Sequence, residues 1–215
     1  MARSGDIIES KALGQKMRFE VTGHESGGEV TIIDYTIQPA PYSVCPPLST
    51  HRYQSELFRC VSGRFGVHVG GVDHVLNPGE EVVVPPGTPH LAWNDGPEEA
   101  HVILEFRPAL NIDMFFETEF GLANDGKFND VIRNGRRTSS PKIAILRGAA
   151  LCHEYGIGLC DFPLPDSMQL MLFPLLAKCG KVFGITGSYG RYSASSPAES
   201  SDRVKLSATR QQPLP

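Results

Sequence analysis

The chain has 215 residues, 40% of them apolar and 20% charged, which is ordinary for a globular protein. A chain of this length buries about 70% of its unfolded surface and needs neither disulfides nor a metal merely to fold. The net charge of −4 argues against a nucleic-acid partner, which needs a basic face.

The first residues, MARSGDIIES, contain no apolar core of a secretion signal. The five cysteines are odd in number and form no C-x-x-C pair, so reduced thiols and a cytoplasmic location are expected. From Met17 to Arg107 the apolar pattern is short and alternating. Val30, Ile32, Tyr35 and Ile37 fall in one run of strand formers, and Phe65, Val67 and Val69 alternate with Gly66 and His68. Val82–Val84 reads as a short buried strand, and Val102, Leu104 and Phe106 as another alternating one. Gly27-Gly28, Gly70-Gly71, Asn77-Pro78-Gly79 and Pro85-Pro86-Gly87 punctuate the runs, which predicts an antiparallel sandwich or barrel.

After Pro108 the period changes. Ile112, Phe115, Phe116 and Phe120 predict an amphipathic helix ending near Gly121 or Gly126. Ile143, Ile145, Leu146, Ala149 and Ala150 predict a second helix after Pro141, with Gly156 beyond its end. A third begins after Asp166, read as its N-cap, and runs through Leu172, Leu175, Leu176 and Cys179; Pro174 is expected to kink or split it. The apolar stretch near Met168–Ala177 is too short for a bilayer, and only Lys178 and Lys181 are available as a basic face for lying on one. Packing against the barrel or a second subunit is the expectation for this segment. Residues 193–215 are Ser-, Pro- and charge-rich and read as a disordered tail.

The chemistry concentrates in Gly79–Asn94, GEEVVVPPGTPHLAWN. Its spacing, G-x5-P-x-G-x2-H-x3-N, is met by Gly79, Pro85, Gly87, His90 and Asn94. Pro85-Pro86-Gly87 turns the chain, Gly87 being free to take positive φ, and His90 opens the return strand toward the interior. Upstream, HRYQSELFRCVSG supplies His51, Glu56 and Gly63.

These two stretches resemble the two motifs of the cupin superfamily, and the chain is similar to a small single-domain cupin with a C-terminal helical extension. The barrel resemblance covers about residues 17–108, including Gly28-Glu29, Arg64–Gly71 and Glu105-Phe106-Arg107-Pro108. It implies a mainly β fold, a cupin-type antiparallel jelly-roll β-barrel. The expected division is a barrel domain with its N-terminal strands over 1–108, a helical extension over 109–192 and the tail. The family's first motif usually reads H-x-H-x4-E-x6-G; aligned on Glu56 and Gly63, its second histidine is His51 and its first falls on Ser49. The resemblance therefore implies a metal set of His51, Glu56 and His90, two histidines and a carboxylate suited to Fe, Mn, Ni or Zn. A metal-free site is the alternative, because Ser49 stands where the first histidine would.

The same three residues are the catalytic candidates, either as ligands or as proton carriers. Tyr53 joins them because it shares the strand parity of His51. Cys60 has the parity of Glu56 and Phe58 and is expected inside, while Trp93 and Phe58 are read as pocket wall or core. Asn94 is expected to hold its hairpin by local hydrogen bonds. His68 and His74 are expected to face outward; His101, Glu105 and Arg107 share a strand face that would border the pocket if it turned inward.

The expected function is that of an enzyme acting on a small organic molecule inside the barrel: an oxidoreductase using the metal, or an isomerase, cyclase or lyase of secondary metabolism. The alternative is a non-catalytic cupin that binds a small molecule. Neither nucleic acid nor membrane is expected as a partner, and the resemblance implies a homodimer.

Overall fold

The computed structural model describes residues 1–127 and 141–193. The expected tail lies outside the described residues from position 194 onward. Two antiparallel sheets face one another. The larger has the order β1 (Ile7–Ser10), β2 (Gln15–Val21), β3 (Thr31–Ile37), β10 (Ala100–Arg107), β5 (Ser55–Ser62), β8 (Glu81–Val84). The smaller has the order β11 (Ile157–Leu159), β4 (Ser49–His51), β9 (His90–Asn94), β6 (Phe65–Val69), β7 (Val72–Leu76). This is the jelly-roll architecture with C-terminal helices that the sequence predicts.

The alternation read from the sequence is the alternation of burial. Thr31, Ile33, Tyr35 and Ile37 of β3 face inward, as do Ala100, Val102, Leu104 and Phe106 of β10. The register sets Val102 opposite Tyr35, and Leu104 between Ile33 and Phe58. Phe19, Phe65 and Phe106 are fully buried in this core, each worth roughly 1.5–3 kcal/mol of stabilisation by transfer from water. The Val82–Val84 strand is only half inside. Val84 is buried and Val83 is 52% exposed, because β8 is an edge strand with the same two-residue alternation.

The helices are α1 (Ile112–Asn124), α2 (Pro141–Tyr155) and α3 (Asp166–Val182). Helix α3 runs through Pro174 without splitting. Asp166 is its first helical residue and not its cap; Pro165 holds the cap position. The Asp166 carboxylate instead accepts from the Arg52 guanidinium at 2.6 Å, and Arg52 also donates to the Ile157 carbonyl at 2.7 Å. The inner face of α3 (Gln169, Phe173, Ala177) is buried, and α3 packs on α2. Gln169 ties it to β11 through the backbone N–H and carbonyl of Leu159.

The helical half also contributes to the barrel. Strand β11 pairs with β4, setting Ile157 opposite His51. A short strand in a largely helical stretch carries almost no sequence periodicity, and it was not predicted. Among the described residues no helix is long and apolar enough to cross a membrane.

Candidate active site

Three strands converge on one interior spot. Strand β4 ends at His51, β5 brings in Glu56, and β9 opens with His90. The Pro85-Pro86-Gly87 turn fixes their spacing: Gly87 sits at φ 73° and donates its N–H to the His51 carbonyl at 2.8 Å. The turn of one motif is thereby bonded to the histidine of the other. Ser49 lies directly opposite His90 across the β4–β9 pairing and two residues from His51 on the same strand face.

Glu56 is 6% exposed and His90 5% exposed, so a charge here must be paired. His90 Nε2 lies 3.0 Å and His51 Nε2 3.7 Å from Glu56 Oε2. The two imidazoles stack with centroids 5.3 Å apart, and the Phe106 ring meets His51 edge-on. Burial draws the His51 pKa below its ordinary value, the Glu56 charge opposing this only in part. Burial also draws His90 downward, but its hydrogen bond to Glu56, the Glu56 charge and the Thr88 carbonyl outweigh that and hold its pKa above the ordinary value.

One ligand atom from each of His51, Glu56 and His90 lies within 4.8 Å of the others, close enough to share one metal ion. Two further observations fit a metal. His90 Nδ1 faces the Thr88 carbonyl at 2.9 Å, which fixes a proton on Nδ1 and leaves Nε2, the atom facing Glu56, to carry either a shared proton or a metal. His51 Nδ1 is buried without a hydrogen-bond partner among the described residues, a polar atom that they alone do not satisfy.

The cluster opens on a cavity of about 390 Å³. Its walls are mainly apolar: Phe58 and Leu104 from the barrel, Phe115 and Phe116 from α1, and Leu151 from α2. The helical half therefore closes the barrel over the cluster. Ser49, Tyr35 and Glu119 also line this space.

Of the four catalytic candidates, the structure brings together His51, Glu56 and His90 but not Tyr53. Tyr53 is 62% exposed and does not line the cavity. Strand β4 stops at His51, so the alternation that would have turned Tyr53 inward does not reach it, and its ring lies against Gly156 instead. Trp93 faces outward over Gly66, its indole N–H donating to Asp95, and is not a pocket wall. His101 also faces outward, paired with Asp34 at 2.8 Å, which puts Glu105 and Arg107 on the outer face with it. His68 pairs with Asp73. Cys60 is buried as expected, and Asn94 holds its hairpin by donating to the carbonyls of Ile37 and Glu98.

Tyr35 and Glu119 were missed as site residues. Glu119 left a trace: it is a carboxylate inside the apolar stripe formed by Ile112, Phe115, Phe116 and Phe120.

A family model described as a cupin domain matches residues 35–106. A protein of Arthrobotrys oligospora named an oxidoreductase is 31% identical over 88 residues; the match covers 37% of this chain and 35% of that protein, so only about a third of the relative is represented. Among solved structures, an RmlC-like cupin from Shewanella frigidimarina is 27% identical with a TM-score of 0.39, over 47% of this chain and 83% of that one. A predicted oxalate decarboxylase from Thermotoga maritima is 16% identical with a TM-score of 0.42, over 50% of this chain and 98% of that one.

Proposed function

Residues 35–106 are a cupin domain, and we propose that the protein is a metal-dependent enzyme, an oxidoreductase acting on a small, mainly apolar organic molecule held inside the barrel. The observation that carries this reading is the placement of His51, Glu56 and His90 together on the lining of an apolar-walled cavity of ligand size. The name of the Arthrobotrys relative points the same way.

His51, Glu56 and His90 would hold one divalent ion, Fe, Mn, Ni or Zn. Two imidazoles and one carboxylate leave coordination positions free, and the ion would supply Lewis-acid or one-electron chemistry at them. The residues around it do the rest. Thr88 orients His90 through Nδ1, and the Gly87–His51 bond holds the two motifs in register. Phe58, Phe106 and Phe116 keep the surroundings dry, which strengthens every charge interaction at the cluster. Glu56 is the carboxylate that faces both imidazoles.

A second reading is a binding module without catalysis, favoured by the same apolar-walled cavity. The two are separated by incubating iron-reconstituted wild type and Glu56→Gln with a small-molecule extract of the source cells and following it by mass spectrometry. The enzyme reading expects ions that disappear, with new ones formed, only with the wild type. Ions that are merely retained on both proteins and released unchanged on denaturation would establish the binding module instead. Within the enzyme reading, new ions of unchanged mass would move the assignment to an isomerase or cyclase.

A further inference from the structure

The cavity wall carries a feature that the metal cluster does not use. On α1, Phe115, Phe116 and Glu119 are spaced at three and four residues and share the face turned to the cavity. Two are aromatic and one is a carboxylate. Glu119 makes no hydrogen bond or ion pair to any described residue, and burial pushes its carboxyl up to about 7. Tyr35, from β3, is 7% exposed and lines the same cavity. Its hydroxyl has no protein hydrogen-bond partner among the described residues, although a buried tyrosine hydroxyl usually finds one. The Tyr35 hydroxyl is raised by burial and, after it, by the charges of Glu119, Cys45 and Glu56.

The basic groups on the cavity wall are already engaged. Lys127 pairs with Asp125 at 2.7 Å, and Arg147 donates to the Lys127 carbonyl at 2.6 Å. A carboxylate set among phenylalanines without a cation costs stability unless a ligand supplies the partner. A protonated amine gains most there, because it meets a charge that is poorly hydrated and offers a donor to both oxygens.

We infer that Tyr35 and Glu119 form a second polar pole of the cavity, and that the ligand is a mainly apolar molecule carrying a primary amine, the ammonium bound at Glu119 and Tyr35 and the opposite end presented to His51, Glu56 and His90. This rests on the cavity being the ligand site. It assigns Glu119 as the residue that sets specificity, on a helix outside the matched cupin domain.

The test uses two probes of equal length, octylamine and octan-1-ol, titrated calorimetrically into the full chain above the Glu119 pKa. The wild type is expected to bind octylamine about tenfold or more tightly than octan-1-ol. Glu119→Gln is expected to remove that preference and leave octan-1-ol within about twofold. Glu119→Leu completes the apolar stripe of α1; it is expected to melt no lower than the wild type and to lose the preference equally, so a folding defect is not the cause. An amine preference that survives in Glu119→Gln, as coordination of the amine to a metal would give, overturns the assignment. So does an octan-1-ol affinity equal to that of the amine in the wild type, which would leave the cavity reading standing. If neither probe binds, the cavity reading falls together with this one.

Discussion

His90 Nε2 and Glu56 Oε2 lie 3.0 Å apart, and both are acceptors once the Nδ1 proton is committed to the Thr88 carbonyl. Two acceptors at hydrogen-bond distance need a proton or a cation between them. A proton on Nε2 makes His90 an imidazolium, in line with its raised pKa. A metal ion replaces that proton. The chain has placed its acid and its base so that either a shared proton or a shared metal satisfies them, and a metal entering where that proton sits displaces it.

The position opposite His90 is occupied by Ser49, on the face that also carries His51. Ser49→His would add an imidazole to a set that now has two. Zinc affinity, measured by competition with a chromophoric chelator, is expected to rise by about tenfold or more, roughly 1.4 kcal/mol. An unchanged affinity would mean that the residue at 49 does not reach the cluster.

Glu119 gives a dependence on pH with a definite sign. Its ordinary value is 4.5 and its folded value about 7. Below about pH 4.5 the carboxyl is protonated in both states and costs nothing. Between there and 7 the folded form holds the extra proton, so stability falls as pH rises; above 7 the penalty is constant. That interval sets a ceiling of about 3 kcal/mol, and the partial exposure of the side chain lowers it to about 1–2 kcal/mol. Urea midpoints of wild type and Glu119→Gln at pH 5 and pH 8 separate this effect from Tyr35, Cys45, Glu56 and the histidines, which both proteins share. The variant is expected to gain at pH 8 relative to pH 5, and an equal difference at both values would contradict it.

Arg52 joins the barrel to the helical half. Its side chain is nearly buried, and it reaches both Asp166 and the Ile157 carbonyl. Asp166→Asn weakens a charge-assisted pair whose acid is half exposed, so a loss of about 1–2 kcal/mol is expected, seen as a lowered melting temperature. Gly158 lies beneath this pair, where an added methyl would meet the Asp166 carboxylate and the Thr50 hydroxyl, so Gly158→Ala is expected to act in the same direction.

The sequence was most legible where a physical constraint repeats. Tyr35, Val102, Leu104 and Phe106 alternate along strands that are buried on one face, and period two cannot be mistaken over seven or eight residues. The motif around Gly87 marked His90 because a turn, a left-handed glycine and a return strand leave few placements for that side chain. Tyr53 failed for the opposite reason: a parity argument holds only while the strand lasts, and β4 has three residues. Trp93 failed because an outward aromatic covering Gly66 looks, in one dimension, like a core residue. Glu119, Tyr35 and the Arg52–Asp166 pair depend on contacts between segments far apart in the chain, which no local period records.

The claim that most needs testing is that His51, Glu56 and His90 hold a metal. The direct measurement is elemental analysis by plasma mass spectrometry of the protein purified without added metal or chelator, beside Glu56→Gln and His90→Ala. Close to one equivalent of Fe, Mn, Ni or Zn in the wild type, lost in both folded variants, is the predicted result. A wild type that stays metal-free after reconstitution with each of the four ions, or variants that keep the full equivalent, would contradict it.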